Sequence, residues 1–426
     1  MRLSKLNINK ININDIDHNY SIQNIFIKLG ELYQFESGIY GYGNLWVKIR
    51  KNIEKIIIEE LDKADCIQVE FPTLQPKNIW VQSNRWDTYT KDTDTLFTVE
   101  CNLGEYGLAL TAEECATIFG ANRLKSEKNL PCIYYQIGEK YRKEIRTRGY
   151  LFRPRTFTMM DAYSFDKDEV GMRESYNKMH EVYLKIFKRL GINIISVVSD
   201  NGTMGGRIAE EWMTITKYGE DTILYDKEKN IGLNKEILKR PNFQEYLRTE
   251  YDIKDISKMK EYPAMELGNN FQLGTKYSEN MKLHFASSIS NDNKYYMGCY
   301  GIGVGRIIAT ILENSLIERN NKIIGFSLPE KIAPYKLQII YKDDKKELAG
   351  ELYQKLLAKN INCIIDDREN LSLGNRIKDA YVLGTPYILI LGDKSEDNKY
   401  ELENTKTNEK DNVDLEDLLN KFKDNY

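Results

Sequence analysis

Residues 298–306 read Gly-Cys-Tyr-Gly-Ile-Gly-Val-Gly-Arg and run directly into an apolar helical segment, Ile307 to Leu312. The glycine spacing superficially suggests a dinucleotide loop. It lacks a third glycine at the required place and an acidic partner on a following strand, so that reading fails. Glycines at this spacing let a helix pack closely on a sheet while one arginine, Arg306, points at the sheet surface, although a plain packing turn uses the same residues. The block just upstream, Met265 to Tyr300, is rich in strand formers.

Two further clusters lie towards the N-terminus. The window Gly138–Arg155 holds Lys140, Arg142, Lys143, Arg146, Arg148, Arg153 and Arg155 against Glu139 and Glu144, a local +5 in a chain of net charge −3. Arginine presents a planar fork that suits phosphate and carboxylate. A solvated hairpin tip accounts for the charge alone. In Thr111-Ala-Glu-Glu114, a hydroxyl and a carboxylate two residues apart can hold an amine. The simpler alternative is a helix start, with Thr111 as N-cap and Glu114 at N3.

Periodicity places the elements around these clusters. Leu45, Ile49, Ile53, Ile57 and Leu61 recur every four positions and predict a helix over 45–61. A strand over Ile67–Phe71 stops at Pro72, which cannot donate to a ladder. Strand-like runs follow at Leu96–Glu100, Cys132–Ile137 and Thr156–Ala162. A helix is expected to open at Asp166, with Glu169 at the capping-box offset, and to close at Gly191. Lys227 to Lys260 reads as a charged helical surface connector. Beyond Pro334, the order Leu337–Tyr341, Glu347–Lys359, Asn362–Ile365, Asn375–Val382 and Tyr387–Leu391 is β-α-β-α-β. That order predicts a small α/β domain of about 90 residues.

Composition bounds the rest. A chain of 426 residues with 41% hydrophobic residues has core enough for two or three domains. The net charge of −3 excludes a basic-tail nucleic-acid binder. No run reaches the roughly 18 apolar residues of a membrane span, and the polar stretch Met1 to Asn19 is no signal peptide, so a cytoplasmic chain is expected. Six scattered cysteines without a CxxC point to reduced thiols. Three isolated histidines argue against a histidine-built metal site, and no zinc is expected.

Taken in order, the strand ending at Pro72, the R-x-E of Arg142 and Glu144, and the glycine run ending at Arg306 resemble the three motifs of class II aminoacyl-tRNA synthetases. Their flanks sharpen the resemblance to prolyl-tRNA synthetases of the bacterial type: Leu29-Gly-Glu-Leu-Tyr-Gln-Phe-Glu-Ser-Gly-Ile-Tyr40, Asp161-Ala-Tyr-Ser-Phe165, Phe271-Gln-Leu-Gly-Thr-Lys-Tyr-Ser278 and Met297-Gly-Cys-Tyr-Gly-Ile-Gly-Val304. Asp366-Asp-Arg368 followed by Gly384-Thr-Pro386 is similar to the anticodon-binding domain of class IIa enzymes. The resemblance covers nearly the whole chain. It implies an α+β fold, with a class II antiparallel β-sheet flanked by helices over 1–330 and a C-terminal α/β anticodon-binding domain with a mixed sheet over 331–426.

The resemblance also implies ATP-dependent activation of L-proline and its transfer to the 3′ end of tRNA(Pro), with ATP and Mg²⁺ as cofactors and a homodimer through the motif 1 region. Arg142 would bridge the substrate carboxylate and the α-phosphate, and Glu144 would accept from the adenine amino group. Arg153 and Asn269 would complete the ATP site, Arg306 would hold the γ-phosphate, and Glu266 would serve Mg²⁺. Thr111 and Glu113 would hold the imino group, with Phe157, Met159, Trp212 and Phe271 around the ring. Asp366, Asp367, Arg368 and Lys378 would meet the anticodon.

The sequence departs from that pattern at several places. Asn269 and Glu210 stand where the family has His, Arg207-Ile208 where it has small residues, and Met160 where it has Lys. With Met159, Arg207 and Trp212 at the pocket wall, these bear on amino-acid preference. Between motifs 2 and 3, Tyr225 to Glu261 leaves only about 35 residues where the usual bacterial enzyme carries an editing domain, too few for a domain with its own core. Two alternatives stand beside a proline–tRNA ligase. One is a paralogue activating proline or another small amino acid for a non-tRNA acceptor, which the intact anticodon residues oppose. The other is a non-catalytic synthetase-like tRNA-binding factor, which the presence of Arg142, Glu144 and Arg306 opposes.

Overall fold

A computed structural model describes residues 1–10, 21–200, 208–291, 293–393, 395 and 398–423. Arg207 lies outside the described residues. The chain forms two compact units, one of residues 54–307 and one of residues 1–53 with 308–426.

In the 54–307 unit, nine strands of the described residues form one sheet. Its order is Ala209–Ile215, Ile195–Val198, Ile231–Asn234, Asp221–Asp226, Lys260–Gly274, Tyr296–Gly303, Thr156–Asp166, Cys132–Tyr141 and Ile67–Gln68. The ladders are antiparallel except where Ile231–Asn234 meets Ile195–Val198 and where Ile67–Gln68 meets Cys132–Tyr141. The long Lys260–Gly274 strand is the centre, and Ala209–Ile215 also pairs with it.

One helix, Glu169–Leu190, packs on one face of this sheet. Met172, Tyr176, Met179, Tyr183, Ile186 and Leu190 are buried at helical spacing, as an amphipathic helix on a sheet requires. Its N-cap is Asp168, which accepts from the Gly171 N–H at 2.8 Å, and its C-cap is Gly191 at φ 71°. The expected start at Asp166 is therefore two residues early. Asp166 ends a strand, and its carboxylate accepts from Ser175 Oγ at 2.7 Å.

The strand register sorts side chains by face. Asp161 pairs with Gly301, Gly301 with Asn269, and Asn269 with Glu211. Because side chains alternate along a strand, Phe157, Met159, Asp161, Tyr163, Asn269, Phe271 and Glu211 share one face. Met160, Glu210 and Trp212 are directed to the face that the helix covers.

The segment from 227 to 260 is not the continuous helical connector expected. Asp221–Asp226 and Ile231–Asn234 form a hairpin, a 3-10 turn spans Lys235–Lys239, and a helix spans Phe243–Tyr251. Leu233, Ile237, Leu247 and Ile253 close a small cluster with Val198 and Leu224 of the sheet. The segment thus borrows its core from the main sheet.

The second unit carries a five-stranded mixed sheet in the order Cys363–Ile365, Leu337–Tyr341, Tyr387–Leu391, Tyr400–Asn404 and Lys410–Val413. The first two pairings are parallel and the last two antiparallel. Helices Lys346–Ala358, Leu373–Tyr381 and Leu415–Phe422 complete it, and Tyr400–Asn404 and Lys410–Val413 form an antiparallel strand pair before the last helix. Arg2 forms a parallel bridge to Ile365 at the sheet edge. No helix among the described residues is long and apolar enough to cross a membrane.

Candidate active site

Two clefts open on the face of the large sheet opposite the Glu169–Leu190 helix. The first, about 580 Å³, is lined by Arg142, Glu144, Arg153, Phe157, Glu266 and Arg306, among others, with Gly301 and Gly303 at its floor. A Cβ at Gly301 would stand 3.0 Å from Asn269 Oδ1, so the glycine keeps the floor open. The second, about 820 Å³, is lined by Arg85, Tyr89, Thr111, Glu113, Asp161 and Phe271, among others. Arg142, Met159, Asn269 and Gly301 line both.

Arg142 is thus the charged residue at the junction. Its backbone N–H is held by Arg155 O at 2.9 Å, and its guanidinium lies over the Phe157 ring at 5.0 Å. Its Nε is buried without a hydrogen-bond partner among the described residues. Burial lowers its pKa from the ordinary arginine value; Glu266 acts against this and Arg306 adds to it. A cation desolvated in this way, with a donor unsatisfied, is complementary to an anion.

Arg306 leaves the glycine run and turns back over the first cleft. Its Nε donates to Phe152 O at 2.9 Å, and Nη1 donates to Glu266 O and Oε2 at 2.9 and 3.0 Å. Glu266 also accepts from Asn269 Nδ2 at 3.0 Å. Glu144 pairs with Arg153 at 2.8 Å. Beside them, burial and the Glu266 carboxylate push Glu211 up to about 7, although Ser199 and Asn234 donate to it.

The second cleft contains a buried ion-pair cluster. Thr111 Oγ1 donates to Glu113 Oε2 at 2.6 Å, and Arg85 Nη1 donates to the same oxygen at 3.0 Å. The alternative role of Thr111 as a helix cap is not realised: the helix Glu113–Arg123 begins after Ala112, and no side chain caps it. Burial pushes both Glu113 and Glu114 up. For Glu113 the Arg85 charge and the Thr111 bond prevail and its pKa ends below the ordinary value, whereas Glu114 ends above its own.

Residues 97–315 match the family described as the tRNA synthetase class II core domain (G, H, P, S and T), and residues 332–425 match an anticodon binding domain. The proline–tRNA ligase of Rickettsia bellii is 36% identical over 402 residues, spanning 92% of this chain and 91% of the relative. That of Ehrlichia chaffeensis is 35% identical over 420 residues, spanning 96% and 95%. The chain belongs to the proline–tRNA ligase family of class II aminoacyl-tRNA synthetases. In fold it is similar to a prolyl-tRNA synthetase from Cryptosporidium parvum complexed with L-proline and AMP. The TM-score is 0.72 at 16% identity, covering 98% of this chain and 78% of that one.

Against this family frame, the structure brings together Thr111, Glu113, Arg142, Glu144, Arg153, Phe157, Met159, Glu266, Asn269, Phe271 and Arg306 at the two clefts. Trp212 requires correction as a ring-pocket residue. It is fully buried on the opposite face, against Tyr183 at 5.6 Å and His180 at 4.7 Å. Phe157 lines the first cleft rather than the second. Of the departures among the described residues, Asn269 faces the clefts. Met160 is buried on the helix side, and Glu210 accepts there from Tyr176 Oη at 3.2 Å and contacts His180 Nδ1 at 3.1 Å.

Sequence reasoning missed Arg85. The available signal was a lone arginine among aromatics, Trp80 to Tyr89, which fits burial against rings better than exposure.

In the other unit, Asp366 is fully buried and paired with Arg368 at 2.7 Å and Arg376 at 3.2 Å. Arg368 also reaches Asp379 at 2.8 Å. Asp367 accepts from Ser4 N–H and Oγ at 2.9 and 2.8 Å and pairs with Arg2. Burial pushes Asp367 up, but the Ser4 bonds prevail and hold it below its ordinary value. Lys378 is exposed on the Leu373–Tyr381 helix.

Proposed function

We propose that this chain activates L-proline with ATP and transfers the prolyl group to the 3′ end of tRNA(Pro). The observation that carries the reading is Arg142, partly buried, short of a partner at Nε and lining both clefts. The amino acid would occupy the Thr111–Glu113 cleft and ATP the Glu144–Arg306 cleft, so that Arg142 bridges carboxylate and α-phosphate. The carboxylate oxygen attacks the α-phosphorus, the bond to pyrophosphate breaks, and the acyl group later moves to a ribose hydroxyl. No covalent enzyme intermediate is needed, so positioning and electrostatic stabilisation supply the rate.

Glu113 would receive the imino nitrogen, and Met159 and Phe271 would enclose the ring. Glu144 would exchange Arg153 for the adenine amino group, freeing Arg153 for phosphate, and Arg306 would meet the γ-phosphate. The donor set fits Mg²⁺ only as one or two carboxylates, Glu266 first, beside phosphate oxygens, the usual mode for this ion. It would neutralise phosphate charge. Asp367, Arg368 and Lys378 would meet the anticodon, with Asp366 acting through Arg368. The functional division would be 1–330 and 331–426, in a cytoplasmic homodimer joined through the motif 1 region.

ATP–pyrophosphate exchange across the twenty amino acids tests the reading; proline-dependent exchange is expected, and its loss in Glu113→Ala. Exchange with another amino acid in preference to proline, or retained exchange in the variant, overturns it. The short hairpin-and-helix segment after Asp226 leaves no editing domain, so alanyl-tRNA(Pro) is expected to persist in a deacylation assay. Pocket size separates side chains by only about 1–3 kcal/mol per methylene, so a separate editing factor would then be needed.

A further inference from the structure

Arg85 lines the inner wall of the second cleft with a 3% exposed side chain. One arm, Nη1, reaches Glu113 Oε2 and Glu114 Oε1, each at 3.0 Å, and the other, Nη2, donates to Tyr89 Oη at 2.9 Å. The guanidinium lies against three rings, Trp80 at 5.4 Å, Tyr89 at 4.7 Å and Tyr277 at 5.3 Å. Ser83 Oγ anchors the far carboxylate, Glu114 Oε1, at 2.7 Å. We propose that Arg85 is a positioning and specificity-determining residue for amino-acid activation: it orients the Glu113 carboxylate and supplies its counter-charge, and so sets the affinity for the substrate's cationic imino group. The proposal rests on Glu113 as the amine partner.

The geometry gives the reason. Arg85 and Thr111 both donate to Oε2 of Glu113 and fix that oxygen in place, while the Glu113 N–H and the Cys299 thiol also bond to the carboxylate. A carboxylate held at one oxygen by two donors is a directed acceptor, and a lysine ammonium cannot reproduce a planar fork packed among three rings. The charges facing Glu113 are Arg85, Arg142 and Lys276 as cations and Glu114 as anion. Tyr163, Tyr277 and Cys299 face it too, and burial keeps all three protonated far above neutrality. Within the Arg85–Glu113–Glu114 cluster, Glu113 is the carboxylate held below its ordinary value, and so it is the negative charge that a single substrate cation would meet.

The test is ATP–pyrophosphate exchange with the full chain, reading KM for proline, KM for ATP and the pH profile of kcat/KM for proline. Arg85→Lys is expected to raise the proline KM at least tenfold with the ATP KM within twofold. It is also expected to move the acid limb to higher pH, because Glu113 loses its well-placed counter-charge. A folded Arg85→Lys enzyme with wild-type proline KM and acid limb overturns the proposal. Glu114→Gln leaves Arg85 to Glu113 alone and is expected to move the acid limb to lower pH; an unmoved or raised limb there overturns it even if Arg85→Lys fails to fold. Glu113→Gln separates the premise. If it leaves the proline KM unchanged, the amine assignment itself falls. If it raises that KM while Arg85→Lys does not, only the Arg85 proposal falls.

Discussion

The Tyr163 hydroxyl accepts the Ala112 N–H at 3.0 Å and donates to Asp161 Oδ2 at 2.7 Å. One phenol therefore hangs the Thr111–Glu113 loop from the sheet. Asp161 is held in turn by Lys140 at 2.7 Å and Gln136 at 2.9 Å, and Gln136 Oε1 accepts the Phe71 N–H at 2.8 Å. The Thr111–Glu113 loop is thereby connected by hydrogen bonds to the residue immediately before Pro72. Tyr163→Phe should leave the buried Ala112 N–H unsatisfied and cost about 1–3 kcal/mol, read by urea unfolding. The loosened loop should also raise the proline KM about tenfold at a near-constant ATP KM.

Arg306 is positioned by three acceptors in the first cleft: Phe152 O, Glu266 O and Glu266 Oε2. Arg306→Lys keeps the charge and loses the fork. The ATP KM is expected to rise about tenfold or more while the proline KM stays close to wild type, because Arg306 lines the first cleft and not the second. Equal losses in both constants would count against separate roles for the two clefts.

Trp212→Ala is expected to act on stability alone. The indole is fully buried between Tyr183, Phe187 and His180, so its removal should cost about 3–5 kcal/mol in denaturant unfolding. The folded variant should retain the wild-type proline KM. A selective change in that KM would return Trp212 to the amino-acid pocket.

Glu211 makes stability depend on pH. Burial and the nearby Glu266 push its carboxyl up to about 7, against an ordinary 4.5, and Asp221 is pushed the same way to about 6. The folded state binds these protons more tightly than the unfolded state. The favourable contribution of Glu211 is therefore fully present below about pH 4.5 and lost as pH rises towards 7, and that of Asp221 is fully present below about pH 3.8 and lost as pH rises towards 6, with a slope of at most about 1.4 kcal/mol per pH unit for each group. Glu211→Gln should flatten the Tm profile across that window. An unchanged profile would show that Glu211 ionises normally.

Much of the fold was legible because its signals are local. Helix Asn44–Asp62 follows from apolar residues every fourth position, and the Leu337–Leu391 alternation of strands and helices follows from period and turn residues. Arg142, Glu144 and Arg306 were readable because charge clusters and glycine runs are contiguous in sequence. The hairpin at Asp221–Asn234 was not, because its apolar residues are sparse and find their core on Val198 and neighbouring strands.

The sequence by itself determined which chemical groups this protein has, their order, and the periodicities that make strands and helices. Only the tertiary structure decided which way each one faces. Glu211 and Trp212 are adjacent, yet a β-strand turns successive side chains to opposite faces, so one borders the clefts and the other packs under the Glu169–Leu190 helix. Arg85 and Glu113 lie 28 residues apart in the chain and meet only because the folded chain closes them into one water-poor pocket. There the low local dielectric turns three charged side chains into a single unit, an effect that no linear spacing encodes.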